Sequence, residues 1–194
     1  LLWNYNVQNH PAAMSRIRHQ FNRLEKQKEM FLDAVSSLSP EEFTRQPAPH
    51  KWSVAQIATH LYLSEKLSLD YLRKKLSYPD TVPPYRVRSW AGVALIKLAF
   101  WSSWRVKAPS TIDMWKDQPV LTADELPIQW EALRTELITF IESRYPEFGS
   151  HLAFRHPFAG RLTMRQMLIF MTDHLGHHLK QARRTIKIVR DSHH

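Results

Sequence analysis

Along four long stretches of the chain apolar residues recur at steps of three and four, the spacing that lines one face of a helix. On the stretch that starts at Ser53 the stripe is Val54, Ile57, Ala58, Leu61 and Leu72; on the last it is Met164, Met167, Leu168, Met171, Leu175, Ala182 and Ile186. Three of the starts share one device. Ser53 with Gln56, Thr122 with Glu125 and Thr163 with Gln166 each place a hydroxyl three residues ahead of a Glu or Gln, so that the two side chains satisfy orphan N–H groups reciprocally. The remaining stretch begins after Pro11, tolerated at or just before a first turn. Pro40, Pro79 and Pro146 mark ends, because the residue before a proline avoids the α region. The pattern predicts helices at roughly 12–38, 53–76, 122–145 and 163–190, with a short acidic turn, "PEEF", after the first. The fold class expected is all-α, a four-helix bundle. Residues 77–121 are too long for a plain bundle connection, and "WAGVALIKLAFWSSW" (Trp90 to Trp104) within them predicts an additional short helix in the crossover.

Composition adds bounds to this picture. At 194 residues the chain has the length of one domain, 1–194, with 77–121 as a crossover insertion and 191–194 as a tail. His193 and His194 resemble the remnant of an affinity tag and are set aside. Four glycines and abundant Leu, Glu, Lys, Gln and Arg favour helix. The absence of cysteine excludes disulfides, thiolate zinc sites and a Cys nucleophile, so a metal would rest on His, Asp, Glu or water. The net charge of +9 suits an anionic partner, but the basic residues are dispersed. Only Arg183, Arg184, Lys187 and Arg190 cluster, as a solvated helix end does, and with no recognition-helix motif nucleic acid is not an expected partner. No apolar run reaches the roughly 20 residues of a membrane span. The nearest, Trp90 to Trp104, is short and broken by Lys97, and reads as an amphipathic core or dimer helix, which makes a homodimer the expected state. "LLWNYN" has no charged region ahead of an apolar one, so the cytoplasm is the expected compartment.

Candidate chemistry lies in "FMTDHLGHHLKQ" (Phe170 to Gln181). His174 and His178 fall inside the apolar stripe, about 40° apart around the axis and about 6 Å apart along it, so both imidazoles can converge on one point. His177 falls on the flank beside Phe170 and Asp173. Two imidazoles buried in an apolar stripe need polar partners, and a metal would be one. The intervening Glu of the metalloprotease helix is missing, which excludes that hydrolytic motif. Gly176 costs about 1 kcal/mol in a helix interior, so either a neighbouring helix comes close there or its presence is chance. A third ligand has to come from another helix. His60 qualifies, on the border of its stripe and two turns in from Ser53. Trp52 and Trp130 read as core anchors. Periodicity alone leaves open whether the three histidines are ligands or satisfied core residues.

At these residues the chain resembles the DinB-like (DinB/YfiT) family of metal-binding four-helix bundles, which includes metal-dependent hydrolases and bacillithiol- and mycothiol-linked transferases and isomerases. Two blocks carry the resemblance. "LSPEEFTRQPAPHKWSVAQIATHLYLSE" (Leu38 to Glu65) is similar to the family's entry into its second helix, with a histidine eight residues after Trp52. "HPFAGRLTMRQMLIFMTDHLGHHLKQ" (His156 to Gln181) is similar to its last helix, with a Gly before the capping Thr, an H-x-x-x-H pair and a Gln three residues beyond. The chain departs from the pattern in carrying His50 where the family usually has Gly, and in the length and aromatic content of 77–121.

The resemblance implies that His60, His174 and His178 ligate a divalent metal ion, zinc or nickel first, with manganese and iron as other family metals. It implies a small-molecule substrate, with a low-molecular-weight thiol among the candidates. Three neutral imidazoles with an open position suit metal-dependent hydrolysis or thiol transfer. Glu65 is the candidate general base; Asp173 and Gln181 are candidate acceptors that orient an imidazole. Arg161 and Arg165 read as a solvated first turn, with a carboxylate clamp as the alternative. Against an enzyme stands a non-catalytic metal-binding or interaction protein, whose site is structural or sensory.

Overall fold

The stripes become helices in the computed structural model, which describes residues 10–85, 91, 94, 120–156 and 159–192. In chain order the elements are α1 (His10–Val35), α2 (Pro40–Thr44), α3 (Val54–Leu76), a single 3-10 turn (Pro79–Thr81), α4 (Glu125–Phe148), β1 (Phe154–His156), β2 (Gly160–Leu162) and α5 (Met164–Asp191). The architecture is a helical bundle with one small hairpin. The short helix expected at 90–104 falls outside the described residues, apart from Ala91 and Ala94.

All three reciprocal caps form. Gln56 N–H donates to the Ser53 hydroxyl, and Ser53 N–H to the Gln56 side-chain oxygen. Thr163 and Gln166 repeat the arrangement, as do Thr122 and Glu125. A fourth box, Ser39 with Glu42, opens α2 where only a turn was expected. Five residues are too few to show a period, and the burial of Phe43 is what holds this helix in place.

Helix α4 does not stop at Tyr145. It runs through Pro146 to Phe148 and is closed by Gly149 N–H on the Tyr145 carbonyl at 2.8 Å. A proline in a last turn forfeits one backbone bond, and this turn buries Phe148, which outweighs the pre-proline preference.

The predicted stripes are the core. Val54, Ile57, Ala58, Leu61 and Leu72 on α3 are sealed, as are the seven stripe residues of α5, and both pack with Trp130, Leu137 and Ile141 of α4. Helices α1 and α5 lie side by side in the same direction. Gln20 donates to Thr172 at 3.0 Å near their starts, and Arg190 donates to the Ser37 hydroxyl at 2.9 Å near their ends.

The antiparallel hairpin between α4 and α5 was not foreseen, since three-residue strands carry no readable alternation. Gly160 begins β2 with φ +72, a conformation only glycine adopts freely. Tyr71 of α3 meets Phe154 of β1 edge to face at 5.6 Å, which seats the hairpin on α3. The crossover is tied at both ends. Tyr85 N–H donates to Ser150 O and Leu152 N–H to Pro83 O where it departs, and Leu121 N–H donates to the Thr59 hydroxyl at 2.9 Å where it returns.

Beneath this apolar core runs a buried ionic network. Arg134, 1% exposed, grips both oxygens of Glu65 at 2.7 Å and reaches Glu25 at 2.8 Å. The Trp130 indole N–H donates to Glu65 at 2.8 Å, and the buried Lys28 joins Glu25 to Glu131. No helix among the described residues is long and apolar enough to cross a membrane.

Gly176 does not mark a close backbone approach. A methyl group there would meet only the side-chain end of Gln27, at 3.4 Å. Gly176→Ala is therefore expected to stabilise the protein by about 1 kcal/mol through helix propensity, read as a higher midpoint in urea; a lower midpoint would show that the space is not there.

Candidate metal centre

The Ser53 box fixes the start of α3, so His60 stands two turns in and faces α5; the Thr163 box does the same for His174 and His178. The structure brings these three histidines together, with one ring nitrogen of each within 4.8 Å of the others. His60 Nε2 and His174 Nε2 are 3.2 Å apart across the two helices. The rings meet edge to face, with centroids 5.1 Å apart for His60 and His174, 4.8 Å for His60 and His178, and 4.6 Å for His174 and His178.

This spacing fits an ion. Two nitrogens held about 2.0–2.1 Å from a tetrahedral centre stand roughly 3.3 Å apart. The donor set, three imidazoles without a carboxylate among the described residues, is of the borderline-soft kind that suits first-row transition ions.

Electrostatics disfavour the protonated form of the three histidines. Burial, then repulsion from His178, pushes His60 down to about 3. Burial, then the neighbouring His177, pushes His178 down to about 4 against a hydrogen bond that pulls it up. Burial, followed by the four histidines around it, holds His174 well below its ordinary range. All three are therefore neutral near pH 7, the form that binds a metal.

In the metal-free protein, acid should act through the same groups, with His156 added, since burial pushes it down to about 4. Between pH 6.5 and 4 the unfolded chain protonates these imidazoles and the folded chain does not, so stability falls as pH falls. The slope is at most about 1.4 kcal/mol per pH unit for each imidazole. Thermal unfolding of chelator-treated protein across that window checks this; a melting temperature flat from 6.5 to 4 would contradict it.

Gln181 takes the role its position suggests. Its side-chain oxygen lies 2.8 Å from His178 Nδ1, which places the proton on Nδ1 and leaves the Nε2 lone pair for the centre. His177 lies outside the three-nitrogen group, its ring 5.2 Å from that of His178 at a right angle. Glu65 is also absent from it. Five residues past His60, it points towards α4, and both of its oxygens are taken by Arg134 and Trp130.

Two aromatic side chains border the centre. Trp52, expected as a core anchor like the sealed Trp130, is half-buried, with its indole 5.1 Å from the His60 ring and 6.3 Å from His178, nearly parallel to the latter at 17°. Phe170 stacks on His174 at 5.4 Å. Behind Phe170 stands His156 at the end of β1, 4.3 Å away edge to face, its Nδ1 accepting from Ala159 N–H at 3.1 Å. Sequence reasoning singled out neither Phe170 nor His156 for this place. Phe170 lies one helical turn before His174, which is the signal that was available.

His50, where Gly is usual in the resembling family, has φ +62, so the turn keeps its left-handed backbone with a residue that tolerates it. The family model of the DinB superfamily matches residues 23–182, a span that holds all three histidines. No curated protein and no solved structure matches the chain.

Proposed function

Since the chain belongs to the DinB superfamily, we propose that it is a metal-dependent enzyme acting on a small molecule, by hydrolysis or thiol transfer, with His60, His174 and His178 as ligands. The observation that carries this is the convergence of three buried neutral imidazoles from two helices, with 3.2 Å between the Nε2 atoms of His60 and His174.

Bound there, a divalent ion would supply Lewis acidity, polarising a carbonyl or making water or a thiol available as a nucleophile near neutral pH. The chain's own contribution is to orient and to exclude water. Gln181 fixes the tautomer of His178, and Trp52 and Phe170 stack on the rings of His178 and His174. Neutral ligands leave the ion's positive charge uncompensated, which favours an anionic group such as a thiolate or carboxylate.

Three protein ligands also favour catalysis over a structural role. Structural zinc sites close their shell with four side chains, whereas catalytic ones keep a position open, and the described residues supply three. Zinc or nickel suits the all-imidazole set best.

The test is elemental analysis of protein purified without nickel resin, followed by chelation, reloading with zinc, nickel, manganese or iron, and assay against ester, amide and thiol-transfer substrates. About one equivalent of metal, with an activity that leaves and returns with it, is expected. A protein that is empty and cannot be reloaded would end the proposal.

A further inference from the structure

We propose that Trp52 is the specificity wall of the centre, the surface on which the flat apolar part of a substrate rests; this builds on the metal-dependent function proposed above. The two tryptophans among the described residues, Trp130 within α4 and Trp52 just ahead of α3, differ in kind. Trp130 is fully sealed, and its N–H is used by Glu65. Trp52 is half-buried and rests against the His60 and His178 rings instead.

The backbone holds it firmly. The left-handed turn at His50 lies two residues before it, and the Ser53 capping box follows immediately, so the indole is carried on a rigid entry to α3 rather than on a loose loop. The indole lies nearly parallel to His178 and leans on His60, and it is only half-buried, so part of its surface stays exposed. A molecule held by the three-imidazole centre through a polar head would therefore lay its body against this ring. Aromatic or other planar groups gain most there, through stacking beyond their area burial. The substrate class selected is a small molecule with an anionic or chelating head and a planar apolar body.

The probe pair is acetohydroxamate and benzohydroxamate, which share a metal-binding head and differ by a phenyl ring. Their affinities are compared by calorimetry on zinc-loaded parent, Trp52→Leu and Trp52→Phe, each checked for metal content. The parent is expected to prefer benzohydroxamate by about tenfold. The Leu variant should keep its metal but bring the ratio close to one, and the Phe variant should keep both metal and preference. A parent without the preference, or a Leu variant that retains it in full, overturns the wall and leaves the metal centre standing. Loss of metal from both variants would make the indole a prop for the imidazoles and overturn the wall as well. A parent that takes up no zinc overturns the wall together with the function it builds on.

Discussion

Replacing Arg134 by methionine is expected to cost about 3–5 kcal/mol of stability, because it leaves the buried carboxylate of Glu65 without its cation, while Glu25 keeps only Lys28. Glu65 is 3% exposed, so water cannot take over the guanidinium's role, and its remaining partner is one indole N–H. For a chain of this length the loss corresponds to roughly 10 °C in melting temperature. A companion variant, Arg134→Met with Glu65→Met, removes both charges and should recover a large part of the loss, since a matched apolar pair avoids the desolvation that the single variant suffers. Urea unfolding of the three proteins decides it. A single variant within 1 kcal/mol of the parent would mean that the network is solvated. The network joins α1, α3 and α4, whereas two of the three clustered histidines are on α5, so zinc content per folded molecule should survive both changes.

The second large effect concerns the metal itself. His60→Ala and His178→Ala, on different helices, are each expected to reduce metal affinity by well over a hundredfold, more than the roughly 10–100-fold that losing an orienting partner costs. Gln181→Leu supplies that milder case, since it removes the acceptor at His178 Nδ1 and leaves all three imidazoles in place. Competition titrations against a chelator would order the proteins as parent, Gln181→Leu, then the two histidine variants. Equal affinities for parent and His60→Ala would confine any ion to α5 and remove the site across two helices.

The helices were legible because three of the four long ones carry their instructions twice, in a three-and-four apolar period and in a reciprocal cap at the start. The depth of His60, His174 and His178 from their caps was countable in residues too, but it was the resemblance to the DinB-like family, and not the period, that joined them into one set. What escaped was shorter than a period or depended on a partner. The hairpin has three residues per strand, and α2 has five. Pro146 signals an ending that the burial of Phe148 overrides. Glu65 looked like a group near the centre because it is close to His60 in sequence, yet five residues turn it about 140° around the helix, towards an arginine 69 positions away. No local pattern announces that pairing.

The tied ends of the crossover bear on how such a bundle can diversify. Pro83 and Tyr85 are bonded to the chain beyond α4, and Leu121 is bonded to Thr59, the residue before His60. The entropy of closing the intervening segment grows only with the logarithm of its length, so doubling it costs about 0.6 kcal/mol. Loop closure by itself therefore sets only a small penalty on a change of length between those ties. A change of length there leaves both ties standing, so the residue next to His60 keeps its anchor: the ties separate the length of the crossover from the placement of the helices.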